Sequence, residues 1–349
     1  MESSRAARSH RSRPPRRRPL LYTALASVAV VGATSAGTVY VKAQAHSGAG
    51  VVSSAGTPSA SLTATGSTAA SASGSGETSV EPVAEPTVSH DALLAAAMKT
   101  VSVADTAEVS VAVLDLDSGA GAGYGDGTFD TASIVKVDIL AAVLLQAQDA
   151  GTRLTAREKS YATAMIENSD NDAASALWRD IGGADGLNAA NERFGLRATE
   201  GGEGPLWGLT QTTAIDQLTL LQQVFGADSE LSEASRTYLR GLMGQIAADQ
   251  RWGVSVVADG SAWALKNGWL ARSTTGLWDI NSIGRVTVDG HDCLVAALSK
   301  GNATKARGIS LVEAAAKAAV SVFTADGAAG SASASSDSAA SAASVSSER

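Results

Sequence analysis

The residues able to form a hydrophobic core are confined to one interval, residues 91–325. All six tryptophans of the 349-residue chain fall inside it, whereas residues 42–90 and 326–349 consist mainly of small and polar types such as Ala, Ser, Gly and Thr. Segments of that composition bury too little apolar surface to offset the entropy lost on folding. We therefore expect one domain at 91–325, preceded by a flexible linker and followed by a disordered tail.

The N-terminus has the pattern of an export segment. Residues 1–19 are rich in arginine, and residues 20–41 carry no charge. An uncharged helix of that length crosses a bilayer core of about 30 Å, and arginines before it predict a cytoplasmic N-terminus and an exported body. Two outcomes stay open, namely cleavage near Ala43–Ala45 to give a secreted protein, or retention as a membrane anchor. Both predict an extracytoplasmic domain.

Several classes of function are excluded by composition. One cysteine and four histidines are too few for a cysteine-rich zinc site, and the histidines are poorly placed for a Ser-His-Asp triad. We therefore predict no metal and no cofactor. The net charge is −8 although the N-terminus is basic, so the body is acidic and a nucleic-acid partner is not expected.

Predicted strands lie at both ends of the domain, with helices between them. Alternating or β-branched segments predict strands at 108–116, 119–124, 263–270, 276–288 and 292–299. Helical patterns are found at 91–101, 135–148, 156–166, 172–181, 185–194, 212–225, 232–248 and 309–323. This segregation favours an α+β fold over alternating βαβ units.

A first candidate for chemistry is the pair Ser133 and Lys136 at the start of a predicted helix. Residues three apart share one helical face, so the ammonium can approach the hydroxyl. A lysine whose pKa is lowered by burial can activate a serine nucleophile. Taken alone, such a pair also arises by chance in a chain this rich in serine.

Two further segments accompany that pair. Ser169–Asn171 (Ser-Asp-Asn) opens a helix, where it is either a cap or a proton relay with an amide for substrate. Lys266–Gly268 (Lys-Asn-Gly) lies in an apolar strand, where an unpaired ammonium is costly and glycine permits close approach of a ligand. An edge strand with an outward lysine is the plainer alternative for this segment.

In this order, the segments resemble the S-x-x-K, S-D-N and K-T-G motifs of class A β-lactamases and penicillin-binding proteins. The resemblance extends over most of 91–325. It implies a β-lactamase/transpeptidase-like α+β fold, in which terminal helices flank a five-stranded antiparallel sheet beside an all-helical subdomain. It also implies a serine hydrolase that forms an acyl-enzyme with a β-lactam or a peptidoglycan-like peptide.

The resemblance assigns the catalytic roles to four residues. Ser133 is the implied nucleophile and Lys136 its general base. Ser169 is implied to pass a proton to the leaving nitrogen, and Lys266 to set the local potential and attract the substrate carboxylate.

The implied substrate-binding residues are Asn171, Asn267, Gly268 and Trp269. Asn171 would bind the substrate amide, and the Asn267 amide would donate to the carboxylate. The backbone N–H groups of Ser133 and Trp269 would form the oxyanion hole.

The sequence departs from the family pattern in ways that affect turnover. Asn267 stands where the family has Thr or Ser, and the interval from Ser133 to Ser169 is short. The E-x-x-L-N element expected before Thr212 is absent, and Glu200 and Glu203 are the only carboxylates of 197–211. Both are expected to be solvated, which predicts slow deacylation. A non-catalytic wall-sensing module and an esterase remain the alternatives.

Overall fold

The computed structural model describes residues 89–324. Its strands are β1 (Glu108–Asp115), β2 (Gly121–Tyr124), β3 (Phe129–Asp130), β4 (Gln211–Thr212), β5 (Trp263–Ala271), β6 (Trp278–Val288) and β7 (His291–Asn302). Its α-helices are α1 (His90–Met98), α2 (Val135–Asp149), α3 (Ala156–Glu167), α4 (Asn171–Asp180), α5 (Gly183–Phe194), α6 (Ala214–Phe225), α7 (Glu233–Met243) and α8 (Lys305–Val320).

Five strands form one antiparallel sheet in the order β2-β1-β7-β6-β5, and β3 pairs with β4 in a separate two-stranded ribbon. The terminal helices and the helical block pack on opposite faces of the large sheet. The expected α+β fold with a five-stranded antiparallel sheet is confirmed. Strand β5 pairs only with β6 and is therefore an edge strand of this sheet.

The alternation of β1 shows why one sheet serves two cores. Val111 and Val113 pack in a cluster with residues of α1 and α8, whereas Ala112 between them packs in a cluster built mainly from α2 to α7. Successive side chains of a strand point to opposite faces, so both faces of β1 are covered. Helix α2 is buried from Val135 to Leu145 and runs through the middle of the second cluster.

Most predicted elements appear with small shifts at their ends. Helix α8 begins at Lys305, before the predicted 309, because the Thr304 hydroxyl accepts a hydrogen bond from Arg307 N and caps the helix. Helix α7 ends at Met243, before the predicted 248, and Gly244 follows as its C-cap.

The segments 1–19 and 20–41, the tail 326–349 and nearly all of the linker lie outside the described residues. Within residues 89–324, no helix combines the length and the apolar character that crossing a membrane requires.

Candidate active site

Ser133 lies in a short 3-10 turn, Ala132–Ile134, that leads directly into α2. Ser133 is partly exposed, whereas Ala132 and Ile134 on either side are buried. Ala132 has a φ of +47°, in the left-handed region that non-glycine residues adopt at a cost. The fold thus presents a single hydroxyl from an otherwise buried turn.

The Lys136 ammonium lies one turn further along α2 and is completely buried. Its Nζ donates to Ser169 O at 2.6 Å, to Ser169 Oγ at 3.2 Å and to Asn171 Oδ1 at 2.8 Å. Burial lowers the pKa of Lys136 to about 7, although the nearby Asp170 carboxylate acts in the opposite direction. This lysine therefore exchanges its proton near neutral pH, as a general base must.

Ser169 connects the two lysines. The Lys266 Nζ donates to Ser169 Oγ at 3.0 Å and to Asn267 O at 2.9 Å. Lys266 is fully buried, and burial together with the charge of Lys136 holds the pKa of Lys266 well below its usual value. When both lysines donate to Ser169 Oγ, the proton of that hydroxyl is left for a third group.

The Ser-Asp-Asn segment is both a helix start and part of the site. Asp170 caps α4, with its carboxylate accepting from Ala173 N at 2.7 Å. Ser169 has a φ of +56°, which turns its hydroxyl and carbonyl toward Lys136. Asn171 is exposed, and since its oxygen accepts from Lys136, its amide N–H groups are oriented away from that lysine. The cap interpretation and the chemical one are compatible.

Gly268 brings strand β5 against the turn that carries Ser133. A Cβ at this position would lie 2.7 Å from Thr131 O, 2.8 Å from Ser133 N and 2.9 Å from Ile134 N. A side chain here would force β5 and the turn apart, so an approach this close requires glycine. It places the backbone of β5 at Gly268 next to the backbone N–H of Ser133.

The side chains of Asn267 and Trp269 lie on the opposite face of β5 from Lys266, because side chains alternate along a strand. The Asn267 amide is buried and donates to Gln250 O at 2.7 Å and Trp252 O at 2.9 Å. Its expected bond to a substrate carboxylate is therefore revised, since both contacts are made within the protein.

The Trp269 indole packs against Trp252, with ring centroids 6.1 Å apart, and the Lys305 Nζ lies 3.9 Å from its ring centroid. The Trp269 indole thus packs on the face of β5 opposite Lys266.

The segment 197–211 supplies an indole, and no carboxylate, next to Lys136. Glu200 and Glu203 are both exposed, whereas the Trp207 ring centroid lies 4.9 Å from Lys136 Nζ. Trp207 was not among the site residues predicted from the sequence. The signal available was a bulky aromatic residue in an interval that is otherwise rich in glycine.

Buried polar residues around β3 hold the turn that carries Ser133, and they too were not predicted from the sequence. Asn281 Nδ2 on β6 donates to Asp130 O at 2.8 Å and to Thr131 O at 3.0 Å. The Asp130 carboxylate pairs with Arg272 and accepts from Gln211. Arg272 also pairs with the buried Asp279 at 3.1 Å, and because those partners are distant in sequence, no local pattern reveals them.

In the described part of the chain, one group of side chains could hold a metal ion. It consists of Asp115, Asp117 and His291, which are distant in sequence from Ser133 and Lys136. Asp115 accepts hydrogen bonds from Asp117 N and the Ser118 hydroxyl, and it contacts His291 Nδ1 at 3.3 Å. Both carboxylate oxygens of Asp115 are therefore engaged in contacts that stabilise the turn after β1.

Six predicted residues thus converge through their side chains or close backbone approach. They are Ser133, Lys136, Ser169, Asn171, Lys266 and Gly268. Together they provide a partly exposed hydroxyl, a buried lysine with a pKa near 7, a bridging hydroxyl and a second buried lysine. This set is suited to acyl transfer.

Comparison with solved structures finds the same fold. PBP-A matches with a TM-score of 0.57 and 23% identity over 66% of this chain and 95% of that chain. The TLA-3 extended-spectrum β-lactamase matches with a TM-score of 0.57 and 16% identity over 66% and 96%. A class A β-lactamase from Bacteroides cellulosilyticus DSM 14838 matches with a TM-score of 0.56 and 16% identity over 66% and 97%.

No curated protein matches the chain. The model of the Beta-lactamase enzyme family matches residues 93–159 and 145–323. These matches span most of the predicted domain and well over half of the chain, and they confirm the resemblance seen in the motifs. The chain therefore belongs to the beta-lactamase enzyme family.

Proposed function

We propose that the protein is a serine hydrolase that forms an acyl-enzyme at Ser133 with a β-lactam or a related cell-wall peptide, and that deacylation is slow. The observation that carries the proposal is the buried Lys136, with its pKa near 7, hydrogen-bonded to Ser169 one helical turn from the partly exposed Ser133. A lysine in this state accepts a proton from a serine hydroxyl at neutral pH.

Acylation then proceeds in three linked proton transfers. Neutral Lys136 takes the proton of Ser133 as Oγ bonds to the substrate carbonyl carbon. The carbon–nitrogen bond breaks, and the leaving nitrogen receives a proton from the Ser169 hydroxyl, which is replenished from Lys136 at 3.2 Å. No proton is gained or lost overall, and the acyl group remains on Ser133 as an ester.

Two further features support this substrate class. Lys266 donates to Ser169 Oγ from a fully buried position, so a substrate carboxylate near Ser169 would gain an attractive charge in a dry environment. A variant of PBP-A, which shares the fold, has been solved as an acyl-enzyme complex with penicillin G.

Slow deacylation follows from the surroundings of the ester. Hydrolysis needs a water molecule held beside a proton acceptor. Glu200 and Glu203, the carboxylates of segment 197–211, are exposed, and the residue of that segment that contacts Lys136 is Trp207.

The test is intact-mass spectrometry of the protein incubated with penicillin G. We expect a mass increase equal to one penicillin, decaying slowly, and no increase in Ser133→Ala. An absent adduct on the wild type, or one that persists in Ser133→Ala, would refute the proposal. Rapid hydrolysis of penicillin G without accumulation of the adduct would be consistent with Ser133 as the nucleophile but would overturn slow deacylation. Ligand binding without acylation, unchanged in Lys136→Ala, would identify a binding module instead.

We also propose that the domain works outside the cytoplasm, where cell-wall peptides are found. The support is the basic segment 1–19 followed by the uncharged residues 20–41. Fractionation of the producing cells checks this: the protein is expected in the membrane or the medium, and recovery in the cytosol alone would refute export.

A further inference from the structure

Trp207 is the part of segment 197–211 that reaches the catalytic lysine. Its ring centroid lies 4.9 Å from Lys136 Nζ, and the turn Trp207–Leu209 packs beside the turn that carries Ser133. At Gly208 a Cβ would lie 3.9 Å from Ala132 Cα, so the two turns are in van der Waals contact.

The position of the indole is fixed from two sides. Its Nε1 donates to Ser175 Oγ on α4 at 3.1 Å. Beyond the ring, Thr210 O accepts from Thr131 N at 2.9 Å, which ties the segment to the residues just before Ser133. The ring is therefore held in place by the same elements that position the site.

The indole closes a side of Lys136 that polar partners leave uncovered. The three acceptors of Lys136 come from Ser169 and Asn171, which are partly exposed and exposed respectively, yet Lys136 itself is 0% exposed. An aromatic face attracts a cation but accepts no proton from water. A water molecule on this side of the lysine would have to displace the ring.

We infer that Trp207 is a fixed cover over Lys136 that keeps water from the ester at Ser133 and so prolongs the acyl-enzyme. Hydrolysis would require water oxygen to bond to the ester carbon, the bond to Ser133 Oγ to break, and one water proton to reach that Oγ. Trp207 acts as a positioning residue, because it works by keeping water away from Lys136 and does not itself contact the reacting atoms. This role presupposes the acyl-enzyme chemistry proposed above.

The test compares the wild type with Trp207→Ala, Trp207→Phe and Ser175→Ala. Two quantities are followed by intact mass, the decay of the penicillin G adduct and the pH dependence of its formation. We expect Trp207→Ala to accelerate decay by about tenfold or more. We also expect its acylation profile to move to higher pH, because a hydrated lysine holds its proton more tightly. Trp207→Phe keeps a ring and is expected to retain slow decay.

A matched control is Trp263→Ala, because Trp263 is also partly buried with a cation over its ring, Arg251 at 5.5 Å. It is expected to leave adduct decay and the pH profile unchanged. If Trp207→Ala does not fold, Ser175→Ala serves instead, since it frees the indole while leaving Lys136 intact, and faster decay is expected.

The outcomes separate the two proposals. A wild type that never acylates refutes the proposed function. A wild type that acylates, with decay and pH profile unchanged in both Trp207→Ala and Ser175→Ala, overturns the role of Trp207 alone. Acceleration by Trp263→Ala equal to that of Trp207→Ala would also overturn it, since the effect would then reflect general loosening.

Discussion

Replacing Gly268 with alanine tests whether the contact between β5 and the turn that carries Ser133 sets the geometry of the site. The new methyl group would lie 2.7 Å from Thr131 O and 2.8 Å from Ser133 N. Ordinary contact begins near 3.4 Å, so β5 and the turn must separate by about 0.7 Å. Both sides are backbone, and neither can yield by rotating a side chain.

A displacement of this size acts on catalysis more than on folding. Misplacing reacting groups by about 1 Å costs on the order of 100-fold in rate, so we expect Gly268→Ala to slow acylation by about 10- to 100-fold. Overpacking of this kind costs about 1–3 kcal/mol of stability, which a domain of this size tolerates. The variant is therefore expected to fold and to acylate slowly.

The assay is the rate of labelling by a fluorescent penicillin at several concentrations, with thermal melting of the same samples. Gly241→Ala is the matched control, because Gly241 is exposed on α7 and a Cβ there would have no neighbour within 4 Å. It should label like the wild type and melt at the same or a slightly higher temperature. Wild-type labelling by Gly268→Ala with unchanged melting would refute the positioning argument.

Three further predictions concern groups that the fold brings to the site. Because the base must be unprotonated, labelling should fall as pH drops below about 7, the value to which burial lowers the pKa of Lys136; a flat profile from about pH 5 to 9 would contradict this role. Asn281→Ala removes both donors to the Asp130 and Thr131 carbonyls, and thermal melting should show a loss of about 2 kcal/mol. Arg272→Gln leaves buried carboxylates without their cation, and the lower melting temperature should recover partly on acidification; equal losses at all pH values would argue against the ion pairs.

Much of the fold was predictable because its signals are local. The alternation of β1, the apolar period of α2 and the capping residues before α3 and α6 are properties of neighbouring residues. The order of the motifs then identified the family, since Ser133, Lys136, the Ser-Asp-Asn segment and Lys266 are each readable in a few consecutive letters.

The motif alone did not predict which way the side chains of Asn267 and Trp269 point. The family resemblance assigned the Asn267 amide to a substrate carboxylate and the Trp269 backbone N–H to the oxyanion hole, but a strand sends neighbouring side chains to opposite faces. Lys266 faces Ser169, so Asn267 and Trp269 face Trp252 and α8. The pairing of the whole sheet decides whether the odd-numbered or the even-numbered residues of β5 face Ser169.

The sequence by itself determined the α+β class, the family and the residue types available for acyl transfer. These follow from composition, periodicity and short motifs, which depend on residues close together in the chain. The tertiary structure alone decided that Lys136 is dry, that Trp207 covers it, and that Gly268 touches the turn of Ser133. The physical reason is that burial and close approach are made by segments far apart in sequence, whose packing no local pattern specifies.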